Sequence, residues 1–79
     1  MVVTVRLHTA LQQVSARGRT GELSLHLPEG ATVSKVVEGL NLPIAMEHLL
    51  LVIDRRMVDP DTPLHEGEVL DLIPAMEGG

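Results

Sequence analysis

The stretch "ELSLHLPEGATVSKVVEGL" (residues 22–40) changes its hydrophobic period halfway along. Over residues 22–27 apolar and polar residues alternate, with Leu23, Leu25 and Leu27 on one side and Glu22, Ser24 and His26 on the other. That is the period-two pattern of a half-buried strand. Pro28 stops the strand, and "PEG" reads as a turn. The next apolar residues, Val33, Val36, Val37 and Leu40, recur at i, i+3, i+4 and i+7. This spacing predicts a helix with one face toward a core. Thr32 is placed to be its N-cap, and Asn41 with Pro43 ends it. Gly39 weakens the last turn, and Lys35 and Glu38 face water.

Upstream, "VVTVRLH" (residues 2–8) alternates as well, with Val3, Val5 and Leu7 opposed to Thr4, Arg6 and His8. The polar, Gly-containing residues 9–21 read as a loop, so the two strands predict a hairpin. Downstream, "PIAMEHLLLVIDRR" (residues 43–56) is ambiguous. Pro43 could start a second helix, yet "LLLVI" is also a good buried strand, and short apolar runs do not separate the two. The reading adopted is a short turn through Met46 and a strand over Leu49–Ile53. The turn "DRR" then leads to a short strand at residues 57–58, followed by the polar loop "DPDTPLHEGE". "VLDLI" (residues 69–73) is the last strand, stopped by Pro74. One helix on one face of a mixed four- to five-stranded sheet is the economical way to bury these faces. That is an α+β fold, the ubiquitin-like β-grasp. Residues 1–79 are expected to form a single domain, with a flexible tail (residues 75–79) leaving a central strand.

The chain has 79 residues, 44% of them hydrophobic, with no Phe, Tyr, Trp or Cys. A domain of this size buries only about 60% of its unfolded surface, so its core is small. Here it must be built from Leu, Val, Ile and Met. Without aromatic rings there is no stacking platform for single-stranded nucleic acid. The net charge of −5 argues further against nucleic acid or an anionic membrane as partner and favours a basic protein surface. The absence of Cys excludes disulfides and a thiol nucleophile. The N-terminus has no basic-then-apolar signal pattern, and no run approaches the length of a membrane span, so a cytoplasmic protein is expected.

No active site is legible. His8, His26, His48 and His65 have no partners at metal-ligand spacing and read as solvated surface; His8 and His26 are expected near each other on the outer face of the hairpin. Asp59, Asp61 and Glu66 share a loop but not the spacing of a calcium loop, and "DPDTP" reads as turn chemistry. No metal and no bound cofactor are expected. The strand phases single out a different feature. If Asp54 and Asp71 face water, Leu50 and Val52 share an outer face, as do Val69 and Ile73. Met57 and Met76 border it. An apolar face opposite the helix is either a protein interface or is covered by loops or by dimerisation.

The sequence closes on "EGG" (residues 77–79). Two glycines are compatible with a frayed end or an expression remnant. They also suit a tail slender enough to thread a channel and lie against a nucleotide phosphate. A terminal carboxylate is ionised and a poor electrophile until it becomes a mixed anhydride. Adenylation by ATP achieves this, and a sulfur nucleophile displacing AMP then leaves a thiocarboxylate.

The whole chain resembles the family of small β-grasp sulfur carriers, which includes the small subunit of molybdopterin synthase and the thiamine-pathway carrier. The resemblance lies in "LPEGATVSKVVEGL", in "LVIDRRMVDPDTPLHEGEVLDLIP" and in the terminal "EGG", in that order and spacing. It implies that the carboxylate of Gly79 is adenylated by a ubiquitin-activating-type adenylyltransferase and thiocarboxylated, with Gly78 keeping the tail slender. ATP is used by that partner, and the chain is a carrier rather than an enzyme. The long first loop is more like the molybdopterin synthase small subunit, implying a large catalytic subunit as sulfur acceptor. The alternatives are a carrier for thiamine or cysteine synthesis, a ubiquitin-like protein modifier, or a plain interaction module. Glu77 stands where a small residue is usual, and "IPAM" replaces an aromatic–Pro–Pro run; both bear on the acceptor. The expected docking surface joins the outer face to Pro74, Met76 and Glu77.

Overall fold

The computed structural model describes residues 1–8, 21–42 and 44–75. The first loop apart from Gly21, Pro43, and the tail residues Met76, Glu77, Gly78 and Gly79 lie outside the described residues. The elements are β1 (Val2–Leu7), β2 (Glu22–His26), α1 (Val33–Leu40), a 3₁₀ turn (Met46–His48), β3 (Leu49–Ile53), β4 (Arg56–Met57) and β5 (Val69–Pro74). They form one mixed sheet in the order β2-β1-β5-β3-β4. β1 and β5 run parallel and the other pairs antiparallel. This is the expected β-grasp, with the last strand in the middle.

The alternating residues of β1 behave as their period requires. Val3, Val5 and Leu7 are buried against Leu70 and Leu72 of β5, and the helix adds Val33, Val36 and Val37. Each such side chain contributes roughly 1.5–3 kcal/mol of transfer free energy before conformational entropy is subtracted. One member of this core comes from the loop between β4 and β5: Leu64 is only 2% exposed.

The helix ends show two capping mechanisms. At the C-terminus Asn41 adopts the left-handed conformation (φ 53°, ψ 48°), and its N–H donates to Glu38 O at 3.3 Å, as expected of a C-cap. At the N-terminus Thr32 holds the cap position, but its side chain makes no cap bond. Its hydroxyl instead pairs with Ser34 Oγ at 3.1 Å. The N–H groups of Val33 and Ser34 donate to Thr62 O (3.0 Å) and Pro60 O (2.9 Å). Donors that a helix leaves unpaired are thus taken by backbone carbonyls of the β4–β5 loop.

Two expectations are corrected. The β3–β4 turn uses two residues, not three: Ile53 pairs with Arg56, so β4 is Arg56–Met57 rather than residues 57–58. Asp54 and Arg55 both have positive φ (51° and 71°), the signature of the type I′ turn that matches strand twist. An L-side chain at such an angle is strained, and glycine is not. Arg55→Gly is therefore expected to stabilise by roughly 0.5 kcal/mol, raising Tm by about 2–4 °C; an unchanged or lower Tm in a thermal melt counts against it. The second correction concerns His8 and His26. The antiparallel register places His26 opposite Val2, while His8 lies beyond Leu7 at the other end of β1. Those positions are six residue steps apart along the strand, or roughly 20 Å. Among the described residues, no helix is long and apolar enough to cross a membrane.

Candidate functional site

The central position of β5 decides what the sheet presents. Leu70 and Leu72 point into the core, so Val69, Asp71 and Ile73 occupy the opposite face. Residues directly opposite across a ladder share a face. Leu50 is paired with Ile73, Val52 with Asp71, Met57 with Val52, and Thr4 with Val69. Leu50, Val52, Met57, Val69 and Ile73 therefore lie together on the outer face. Leu50 is 36% and Met57 71% exposed, so the described loops leave both open to solvent. Pro74 is placed differently: it pairs with buried Leu49, in the phase of the helix side. Met76 and Glu77, expected to extend this surface, lie outside the described residues.

A polar cluster interrupts the apolar face at Asp71. Its carboxylate is only 19% exposed, and Oδ1 lies 2.7 Å from His8 Nε2, a distance at which an Nε2–H donates to the carboxylate. Arg6 Nε stands 3.6 Å from Asp71 Oδ1 and 3.9 Å from Glu22 Oε2. The backbone creates this grouping: Arg6 is directly opposite Glu22 on one side and Asp71 on the other. Reading the strands singly missed it. The outward phase of each residue was visible, but the parallel pairing of β1 with β5 was not.

The root of the tail is also defined. Because β1 and β5 are parallel, their C-terminal ends lie at the same edge of the sheet. Ala75, the first residue of the expected tail, donates its N–H to His48 O at 2.8 Å, and His8 N–H donates to Leu72 O at 3.2 Å. The chain therefore leaves the sheet between the end of β1 and the start of β3. Gly78 and Gly79 lie outside the described residues. Among the described residues, no three His, Asp or Glu side chains are grouped to hold a metal ion. Asp59 and Asp61 serve the turn as expected, with Asp59 N–H donating to Thr62 Oγ1 at 3.2 Å and Thr62 N–H to Asp59 O at 3.0 Å. Glu66 accepts the N–H of Val2 at 2.8 Å.

No curated protein matches the chain significantly. Among solved structures it is similar to SAMP1 from Haloferax volcanii, with a TM-score of 0.77 and 15% identity over 100% of both chains. It is similar to a chain in the complex of subunits 1 and 2 of the molybdopterin-converting factor from Helicobacter pylori 26695 (TM-score 0.68, 18% identity, 100% of both chains). Urm1 from Trypanosoma brucei gives a TM-score of 0.71 at 14% identity, over 99% of this chain and 95% of that one. Identities this low establish the shared ubiquitin-like fold and nothing finer. The family model that matches spans residues 6–79, from the middle of β1 through the diglycine, and by it the chain belongs to the ThiS family of small β-grasp sulfur carriers.

Proposed function

We propose that the chain carries sulfur on the carboxylate of Gly79 for molybdopterin or tungstopterin synthesis. A ubiquitin-activating-type enzyme would join that carboxylate to AMP, releasing pyrophosphate from ATP. A sulfur nucleophile then attacks the acyl carbon, the C–O bond to AMP breaks, and a thiocarboxylate remains. The chain itself supplies no thiol nucleophile, since it has no Cys; it acts as a co-substrate, and ATP is spent by the partner. The observation that carries this reading is the family match running through Gly78 and Gly79. The central position of β5 supports it, because a strand held on both edges gives the tail a fixed point of departure. The outer face around Leu50, Val52, Met57, Val69 and Ile73 would dock the activating enzyme and the acceptor, with Met76 and Glu77 continuing the contact.

Two observations favour molybdopterin synthase as the acceptor: the length of the segment joining β1 to β2, and similarity to a chain found in a complex of molybdopterin-converting factor subunits. The matched family's name favours a second reading, sulfur delivery for thiamine. Intact mass after incubation with ATP, sulfide and the activating enzyme from the same cell tests the carrier chemistry. The expected result is a gain matching one oxygen-to-sulfur exchange. ATP-dependent attachment to other proteins without that gain would make the chain a modifier instead. Reconstitution of the thiocarboxylated chain with a large synthase subunit, against a thiazole synthase, separates the acceptors.

A further inference from the structure

Of the two outer edges of the sheet, one is blunted and the other is not. On one side β4 is two residues long and carries Arg56, features that deter further strand pairing. On the other, β2 runs five residues, Glu22–His26, with no Pro, Gly, Lys or Arg. The hydrogen-bond phase of β2 is fixed at both ends. Met1 and Leu27 exchange bonds of 2.7 and 2.8 Å, and Leu7 N–H donates to Gly21 O at 2.7 Å. By the alternation of an antiparallel ladder, Leu23 and Leu25 then bond to β1, and the N–H and C=O groups of Glu22, Ser24 and His26 point out of the edge. None of these has a backbone partner among the described residues. This edge is complementary to itself. A two-fold axis through Ser24 sets β2 antiparallel to β2 of a second copy, with Ser24 opposite Ser24 and Glu22 opposite His26, each pair exchanging two backbone bonds. On the outer face the Glu22 carboxylate meets an imidazole, and Arg6, 3.9 Å from Glu22, extends the row on the β1 side. On the helix side Leu23 falls opposite Leu25 of the second copy. Leu25 is half-buried in the single chain, so pairing covers apolar surface that β1 and α1 leave open. Shifting the register by two residues either way separates Glu22 from His26. We propose that two copies of this chain join through their β2 edges into one continuous sheet. The outer face and the end of β5 stay open in each copy, so the inference stands apart from the chemistry at Gly79. Strand pairing over five residues is a smaller contact than the roughly 1,200–2,000 Å² of a stable interface, so the expected Kd is about 0.1 mM.

The test is sedimentation velocity of the full chain from about 10 μM to about 1 mM, with amide exchange followed over the same range. Salt at about 0.3 M screens the repulsion between two chains of net charge −5. Expected is a mass that rises from one chain toward two, while the amides of Glu22, Ser24 and His26 gain protection as concentration increases. Ser24→Pro removes a donor that points away from β1, so the hairpin keeps its own bonds. This variant should stay monomeric, with a melting temperature within about 3 °C of the wild type. His26→Glu sets carboxylate against carboxylate on both sides of the axis and should raise Kd about tenfold. Combining it with Glu22→His restores the opposed pair and should return Kd to within about threefold of the wild type. A wild-type chain that stays monomeric throughout overturns the proposal, and so do Ser24 amides protected equally at every concentration, the sign of an edge already covered by residues 9–20. A dimer indifferent to both Ser24→Pro and His26→Glu uses another face and overturns it too, as does a double exchange no tighter than His26→Glu alone. If Ser24→Pro melts early, the His26→Glu pair of variants decides by itself.

Discussion

Addition of one residue after Gly79 is expected to abolish the proposed thiocarboxylation while leaving the melting temperature unchanged. The size of the effect follows from the chemistry. Activation needs a free carboxylate at the position the tail delivers, and an extra residue moves that group by about 3.5 Å. Displacements of 1 Å already cost roughly a hundredfold where reacting atoms must align. Stability is expected to be unchanged because the buried core residues all lie in the span from β1 to β5, ahead of the tail. Mass spectrometry of the extended chain after ATP, sulfide and activating enzyme reads the outcome directly. An extended variant that still gains sulfur on its new terminus, at the wild-type rate, refutes the requirement for Gly79. Gly78→Val is the milder companion: it keeps the carboxylate in register but adds a branched side chain, so its rate should fall without reaching zero.

Leu64→Ala is the largest stability loss expected from a single side chain outside the regular elements, at about 3 kcal/mol. A domain of 79 residues has roughly 4–12 kcal/mol in all, so this one truncation removes a large fraction. Leu64 does two things at once. Its side chain fills the core beside the helix, and its N–H donates to Ala31 O at 2.8 Å. It therefore pins the loop whose carbonyls, Pro60 O and Thr62 O, cap the first turn of α1. A urea titration should show the midpoint falling with little change in slope, and a thermal melt a drop of about 12–24 °C. Met57→Ala, at a side chain 71% exposed, should change stability by less than about 0.5 kcal/mol. A Leu64→Ala cost below about 1 kcal/mol would show that the loop is anchored by something else.

These two expectations draw on different levels of the molecule. The expectation for the tail rests on its letters alone, since the proposed chemistry asks only for two residues without Cβ atoms and a carboxylate. The role of the loop is not legible that way. "DPDTPLHEGE" reads as polar turn chemistry, and a single leucine in it carries no period to mark it as core. Only when Thr32 bridges Pro63 and the loop closes over the helix does Leu64 find an apolar surface to fill. Thr32 holds the N-cap position as expected, yet its side chain does not do the capping. The backbone carbonyls of Thr62 and Pro60, brought by the loop, take the N–H groups of Val33 and Ser34 instead.

Local periodicity was enough to locate β1, β2, α1 and β3, because burial of one face imposes a spacing of two or 3.6 that the residues themselves display. The turn at Asp54–Arg55 came out one residue shorter than its letters suggest, since sheet twist selects a two-residue loop even where no glycine is available. The outer apolar face followed from strand phase alone. Its polar centre did not. Arg6, Glu22 and Asp71 stand 65 residues apart at the widest, counting from Arg6 to Asp71, and what unites them is β1 lying between β2 and β5. Periodicity is a property of one segment, whereas pairing is a choice among segments, made by the closure of the whole core. The residues thus declared which sides of each strand would be dry; the assembled sheet alone decided which charges would meet and where the chain would leave β5.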